Sequence, residues 1–544
     1  MSPPPSNPPP APDAADEKPA GARATGVVAV AILGSRILGL VRDMVFSALF
    51  TKELRDCFLV AFRIPNMLRD LFAEGALSTA FVTVFSQKLK TEGDGAAWQL
   101  AHRIISLAAV FMSAVSLAGI LLADPFVTLL ASGWRNDPAK LELTILLTRI
   151  MFPFILLVSL AALVMGILNS KKIYGVPATA SSFFNLVSIV GGVGLGWLLD
   201  PAWGPRALMG FSFGTLLGGL AQLTFQLPSL RRCGYRFRFS RDWSDSGVRR
   251  ILSLMWPAVI AGSAVQVNVF LNTIFASSLA VKDGPVSWLS NAFRLMQLPL
   301  GVFGVAVATV TLPVLSRVAT EGLTPRFREV LGAGNRLVIF LTLPSALGLY
   351  LLAEPVISLI YEHGRFTAEE THATALALRW YAVGLVFYSC IKVIQPAFTA
   401  IDRRFIPMVV ALVSIGLNAA LNSVFVFVFK LGHEYLALST AVIACTNCLA
   451  LYGVLARIAG GLDTGKLFAT LARLVPSLLA LALVAVAGNH WLLADWDHFT
   501  LPRRAVLLLA LIGTAGAAYF GIAILLHVGE ARQFFDIVRR KFKR

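Results

Sequence analysis

The chain has 544 residues, of which 57% are hydrophobic and 14% charged, and its mean hydropathy is +0.74. An ordinary soluble domain is about 25% charged, so a soluble fold is excluded and the chain belongs in lipid. The net charge of +17 does not point to nucleic acid, because Lys and Arg flank apolar runs instead of interleaving with exposed aromatics.

In chain order, residues 1–24 come first, with Pro3-Pro4-Pro5 and Pro8-Pro9-Pro10. They cannot bury an apolar face and read as a disordered cytoplasmic tail. The basic start, short apolar stretch and cleavage site of a signal peptide are absent in that order, so the first apolar run remains as a span. Apolar runs bounded by charges and Gly/Pro breaks then predict fourteen spans, each near the roughly 20 residues that cross a bilayer. Six begin near Val27, Asp56, Trp98, Leu141, Val176 and Arg206 and form a lobe over 25–228. A basic cytoplasmic linker, 229–250, holds the dense run from Arg231 to Arg250. Six more spans begin near Ile251, Pro285, Phe327, Thr371, Phe405 and Glu434 and form a second lobe over 251–458. Two last spans, near Lys466 and Leu501, occupy 459–528, and a basic cytoplasmic tail takes 529–544. The fold class is an all-α polytopic membrane protein with two pseudo-symmetric six-helix lobes and two C-terminal helices. Both tails and every second loop together carry 29 Lys and Arg, the intervening loops 10, which puts both termini in the cytoplasm.

The lobes repeat. Ala61-Phe62-Arg63 recurs as Ala292-Phe293-Arg294, Arg149 as Arg379, Pro177 as Pro407, Ser86 as Ser316, and Val45-Phe46 as Ile274-Phe275, all at nearly one offset. Six spans separate the copies, and an even number preserves orientation, so the repeats are parallel and related by an axis along the membrane normal. Convergent apolar composition is the competing explanation, since each match is short.

Eight basic residues lie within spans or at their ends: Arg36, Arg42, Arg63, Arg69, Arg149, Arg294, Arg379 and Lys392. Facing lipid, at roughly 2.5–3.5 kcal/mol each, they would cost more than about 20 kcal/mol together. Snorkelling suffices for Arg149 and Arg379 near span ends. Arg36, Arg42, Arg63, Arg69 and Arg294 recur on the first, second and eighth segments beside carboxylates, which points to a polar interior. On segment two, a projection at 100° per residue puts Asp56, Arg63, Asp70 and Glu74 on one stripe. Pro65 removes a backbone hydrogen bond to Ala61 and predicts a kink. Asp43 beside Arg42 supplies a counter-ion on segment one. Cations outnumber their acids, which leaves room for an anionic guest, and the planar arginine fork suits phosphate oxygens.

No catalytic constellation competes with this. His102, His363, His372, His433, His490, His498 and His527 are scattered without ligand spacing, and no P-loop is present. The odd set Cys57, Cys233, Cys390, Cys445 and Cys448 implies no disulfide framework, and Cys445-Thr-Asn-Cys448 reads as small residues on a membrane helix before it reads as a redox pair. Gly191-Gly192-Val193-Gly194-Leu195-Gly196 reads as close helix packing.

Ser35-Arg36-Ile37-Leu38-Gly39-Leu40-Val41-Arg42-Asp43, the Asp56 to Phe81 stretch with Pro65-Asn66 and Ala73-Glu74-Gly75-Ala76, Val286-Ser287-Trp288, Arg294-Leu295-Met296 and Gly301 to Ala306 resemble the MurJ (MviN) lipid II flippases of the multidrug/oligosaccharidyl-lipid/polysaccharide exporter superfamily. The resemblance covers roughly 26–530. It implies a non-enzymatic transporter of the bacterial inner membrane that moves undecaprenyl-diphosphate-linked peptidoglycan precursor to the periplasmic leaflet for cell wall biogenesis. It implies no cofactor, lipid II and membrane lipids as partners, and function as a monomer. Substrate contacts map to Arg36, Arg42, Asp43, Asp56, Arg63, Arg69, Glu74, Arg294 and Lys392, and the last two helices to a groove for the lipid tail. Some members bind sodium in the second lobe; Asn418, Asn422 and Thr440 match that site loosely, with Asn422 where a carboxylate is expected. Phe293 stands where some relatives have an acid, so the counter-ion of Arg294 is unassigned. Two rivals stay open: a flippase for another polyprenyl-diphosphate oligosaccharide, and a non-transporting cell-wall scaffold that would tolerate cavity charge reversals.

Overall fold

The computed structural model describes residues 22–279, 281 and 283–532, the side chains of 22–29, 32, 73, 74, 261, 264 and 265 excepted. The Pro-rich tail up to residue 21 and the basic tail beyond 532 lie outside the described residues. Apolar runs this long satisfy every backbone group inside their own helix, which is what a bilayer demands. Fourteen long helical segments result, and each starts within five residues of its predicted place. The first half contains α1 (Ala22–Leu49), α2 (Lys52–Leu68, continuing through Arg69–Leu77 and Ser78–Thr91), α3 (Gly93–Leu121), α4 (Pro138–Ser170), α5 (Gly175–Leu199) and α6 (Pro205–Arg232). The second contains α7 (Ser246–Ser277), α8 (Pro285–Ala319), α9 (Pro325–Leu351), α10 (Ala368–Ala400), α11 (Phe405–Val428) and α12 (Glu434–Ile458). Helices α13 (Thr464–Trp491) and α14 (Leu501–Leu525) close the chain. Eleven of these are long and apolar enough to cross a membrane. The other three, α1, α2 and α7, carry the polar side chains of the interior and are also long enough to span, consistent with fourteen crossings.

The repeat seen in the sequence is visible in the backbone. Short helices at Ala123–Leu130 and Ala353–Tyr361 follow α3 and α9 at equivalent points. The π-helical stretches Arg69–Leu77 in α2 and Leu300–Gly304 in α8 begin 231 residues apart, the offset that relates Arg63 to Arg294. In α2 the stretch follows Pro65 at one turn's distance, and the Arg69 N–H turns to the carbonyls of Pro65 and Asn66. The predicted kink is thus resolved as a wider helical turn.

One buried apolar cluster joins Phe81, Phe85, Leu100, Ile104 and Ile167 of the first half to Val248, Ile251, Met255 and Val259 of α7. Another lies within the second half and the last two helices, around Phe327, Phe340, Ile394, Leu474 and Tyr519. A third joins the halves, with Val60, Ile64, Leu130 and Phe152 against Phe275, Ala292, Ile357 and Tyr361. Helix α7 therefore bridges: its first turns pack on the first half, Pro257 lies within it, and its later turns bond to α11.

Candidate functional site

Charged side chains on α1, α2 and α8 meet between the halves because their helices bring the repeat-related segments face to face. Asp43 is the hub. It accepts from Arg42 Nε at 3.4 Å and Nη2 at 3.3 Å, and its other oxygen pairs with Arg294 from the opposite half. The counter-ion that Phe293 fails to provide for Arg294 thus comes from α1. Arg42 lies 5.5 Å from the centroid of the Phe184 ring, and the charges of both Arg294 and Arg69 reach it. Arg69 bonds Asp70 at 3.1 and 2.7 Å, and Asp70 also accepts from Gln266 of α7 at 3.3 Å. Arg63 faces Tyr381 and Asp70, with its buried Nε making no hydrogen bond among the described residues. Arg36 is exposed, and its guanidinium lies against Gly301, where any side chain would displace it. Lys392 is exposed on α10 and makes no ion pair among the described residues. The Glu74 side chain lies outside the described residues.

Arg42, Arg69 and Arg294 keep 17, 23 and 40% of their side-chain surface accessible, so the cluster is reachable by a guest while its one shared acid is nearly covered. Two cations converging on one carboxylate leave donor capacity for a second anion, the geometry in which a diphosphate could exchange with Asp43.

Asp56 departs from its predicted place in the cavity wall. It is fully buried at the end of α2 that bears the α1–α2, α3–α4, α7–α8 and α9–α10 connections, which the loop charges predict to be the outer end. Its two oxygens accept the backbone N–H groups of Gly284 and Ser287, each at 2.8 Å, and so cap α8 of the other half. A carboxylate at the positive end of a helix dipole is a strong cap, and this one, with both oxygens engaged and fully buried, is closed to a substrate. The 100° projection fixes a face of the helix but not a depth along it: Asp56 lies one turn into α2, about 10 Å along the axis from Arg63 at 1.5 Å per residue, at the level of the first turn of α8.

The outer end also holds the contacts that sequence reasoning missed. Arg55, buried, pairs with buried Glu370 of α10 and lies 4.7 Å from the Phe366 ring centroid. Lys140 of α4 pairs with Asp283 at 2.7 Å and sits 3.9 Å from the Trp134 ring centroid. The Arg365 guanidinium donates to the carbonyls of Ala202 at 2.6 Å and Trp203 at 3.1 Å, and its N–H donates to Ala48 at 2.9 Å. Gly364, at φ +60°, brings its backbone against Ala48 where a Cβ would clash. The signal for Lys140 and Glu370 was present: they stand 230 residues apart at repeat-equivalent helix starts.

The predicted sodium residues fall in a buried amide cluster. Asn418 and Asn422 donate to Asn272 Oδ1 at 2.8 and 2.9 Å, Asn418 also donates to Asn268, and Ser439 donates to Asn418 and Asn422. Asn272 donates to Thr440 at 3.5 Å. The side-chain oxygens of Asn268, Asn272, Asn418, Asn422 and Thr440 already accept hydrogen bonds and no carboxylate is present among the described residues of the cluster, so as arranged the set does not fit a sodium ion. Among the described residues no group of three His, Cys, Asp or Glu could hold a metal, and the five cysteines are free.

Comparison with known proteins gives one consistent result. Residues 45–507 match the family described as Lipid II flippase MurJ. A probable lipid II flippase MurJ of Bdellovibrio bacteriovorus is 35% identical over 502 residues, 92% of this chain and 94% of that protein. The lipid II flippase MurJ of Burkholderia cenocepacia is 33% identical over 499 residues, 90% and 94% of the two chains. A solved lipid II flippase MurJ in an inward closed conformation superposes with a TM-score of 0.71 at 23% identity, over 91% of this chain and 99% of that one. An inward-facing multidrug resistance MATE transporter of the MOP superfamily gives 0.64 at 16% identity, over 78% and 95%.

Proposed function

This chain belongs to the MurJ family of lipid II flippases, and from that premise we propose how its residues move the substrate. It is a multi-span membrane transporter whose substrate is lipid II, and it is not an enzyme. Arg42, Arg69 and Arg294 receive the diphosphate, Arg36, Arg63 and Lys392 extend the basic wall toward the sugars, and the prenyl chain stays in lipid along α13 and α14. The observation that supports this reading is the Arg42–Asp43–Arg294 bridge, two partly accessible cations sharing one carboxylate on the boundary between two repeat-related halves.

The transport cycle is alternating access by rocking of the halves. The inter-half ion pairs at the outer end close that side, and opening it breaks Arg55–Glu370 and Lys140–Asp283. Diphosphate bound to Arg42 and Arg294 displaces Asp43, which reclaims both cations after release, so the empty carrier resets without bare charges. The protein sits in the bacterial inner membrane with both termini cytoplasmic and works as a monomer, since the cluster is complete within one chain. Export of a negative headgroup is favoured by an inside-negative potential at about 2.3 kcal/mol per charge per 100 mV, and no step is routed through sodium.

The test is a reconstituted flipping assay with lipid II and an unrelated polyprenyl-diphosphate sugar, with and without a membrane potential. Selective, potential-stimulated movement of lipid II is expected, and Arg294→Gln should abolish it while inserting normally. Full activity of Arg294→Gln, or equal movement of both substrates, would overturn the assignment of the site.

A further inference from the structure

The stretch between α6 and α7 is not a slack connection. Residues 233–245 run across the inner end of the first half, pinned to α3 at several points. Tyr235 is buried, its ring centroid 4.8 Å from His102 and 5.3 Å from Trp98. The Arg238 N–H donates to His102 Nδ1 at 3.2 Å and the Ser240 N–H to Ser106 Oγ at 3.0 Å. Both acids of the stretch, Asp242 and Asp245, are held by Arg103 at 2.6 and 2.9 Å, and Asp245 also caps α7 through the Gly247 N–H.

This arrangement removes the local acids from play. Seven arginines, Arg231, Arg232, Arg236, Arg238, Arg241, Arg249 and Arg250, are exposed, and none makes an ion pair among the described residues. Between them Phe237 and Phe239 are 54 and 55% exposed. A topology signal needs only positive charge; it does not need the backbone pinned or two phenyl rings held out among the guanidinium groups. The strap joins the ends of two spans, which fixes it at headgroup depth, where aromatic rings settle and arginine stems lie along the apolar boundary. A soluble anion would leave both rings in water.

We infer that this strap is a docking surface for the phosphodiester headgroups of anionic phospholipids in the inner leaflet, with Phe237 and Phe239 seated in the interfacial layer. The inference stands apart from the transported substrate, since none of these residues belongs to the arginine cluster between the halves.

The full chain, purified in neutral detergent, would be offered equal amounts of phosphatidylglycerol and phosphatidylcholine and its retained lipids counted by native mass spectrometry. The wild-type protein should retain phosphatidylglycerol in preference, and rising salt should erase the preference. R236Q/R238Q/R241Q should weaken retention about fivefold per arginine, with an unchanged unfolding midpoint because these side chains are exposed and make no ion pair among the described residues. F237S/F239S should lower retention of both lipids while keeping the preference. Equal retention of the two lipids by the wild-type chain would overturn the proposal without reliance on any variant. So would a triple variant that keeps its phosphatidylglycerol, or displacement of that lipid by inorganic phosphate or a short oligonucleotide at matched charge.

Discussion

Asp43 shows what a single residue contributes when two halves share it. Its side chain touches Arg42 next door and Arg294 251 residues away, so removing its charge leaves two cations facing each other across the inter-half boundary. Asp43→Asn should cost about 1–2 kcal/mol of stability, discounted for the partial exposure of Arg294, and it should slow flipping, measured as a lower unfolding midpoint together with loss of turnover. Asp56 acts through backbone N–H groups instead. Asp56→Ala should cost about 1–2 kcal/mol as a lost helix cap, and Asp56→Asn, which still accepts through one oxygen, should cost less. Of these residues the sequence revealed the arginines, because an uncompensated cation in an apolar run is conspicuous by itself. It concealed the second partner of Asp43 and the true place of Asp56, since both depend on contacts with residues more than 200 positions away.

At the scale of elements, the π stretches matter most. Pro65 was visible as a helix breaker, but not that α2 would answer it with a wider turn from Arg69 to Leu77 that swings Arg69 toward Asp70. Whether a proline yields a kink or a π turn depends on tertiary contacts, and here Gln266 of α7 bonds Asp70 within the wider turn. Pro65→Ala restores the hydrogen bond to the Ala61 carbonyl and relieves up to about 3 kcal/mol of helix disruption. It should therefore raise or preserve the unfolding midpoint while reducing flipping, because regular α geometry turns Arg69 away from the cluster. A variant that gains stability and keeps full turnover would show that the wider turn has no part in transport. Helix starts, by contrast, were legible to within five residues, since hydropathy and Pro, Gly and charge boundaries act locally.

For the whole molecule, the proposed cycle makes the outer seam the gate, and its buried groups report on it. Cys57 is fully buried there, so in a variant lacking the other four cysteines it should resist a membrane-impermeant maleimide. Gly133 lies so close to the Ser277 carbonyl that an added Cβ would overlap it. Gly133→Val should therefore hold the seam apart, and Glu370→Gln should loosen it by unpairing Arg55; each should make Cys57 label quickly, read as a mass shift. Protection as complete as in the unaltered protein would mean that the seam does not govern access. The parallel repeat behind this gate was legible from short motifs at one offset, but the bridging path of α7 was not, because an apolar helix carries no mark of which half it packs on. The seam has one more property. In the Arg55–Glu370 and Lys140–Asp283 pairs the base belongs to the first half and the acid to the second. Two first halves from neighbouring chains would bring cation against cation and two second halves acid against acid, so the charge pattern acts as a key for assembly, directing each half to an unlike half and discouraging the pairing of like halves in a crowded membrane.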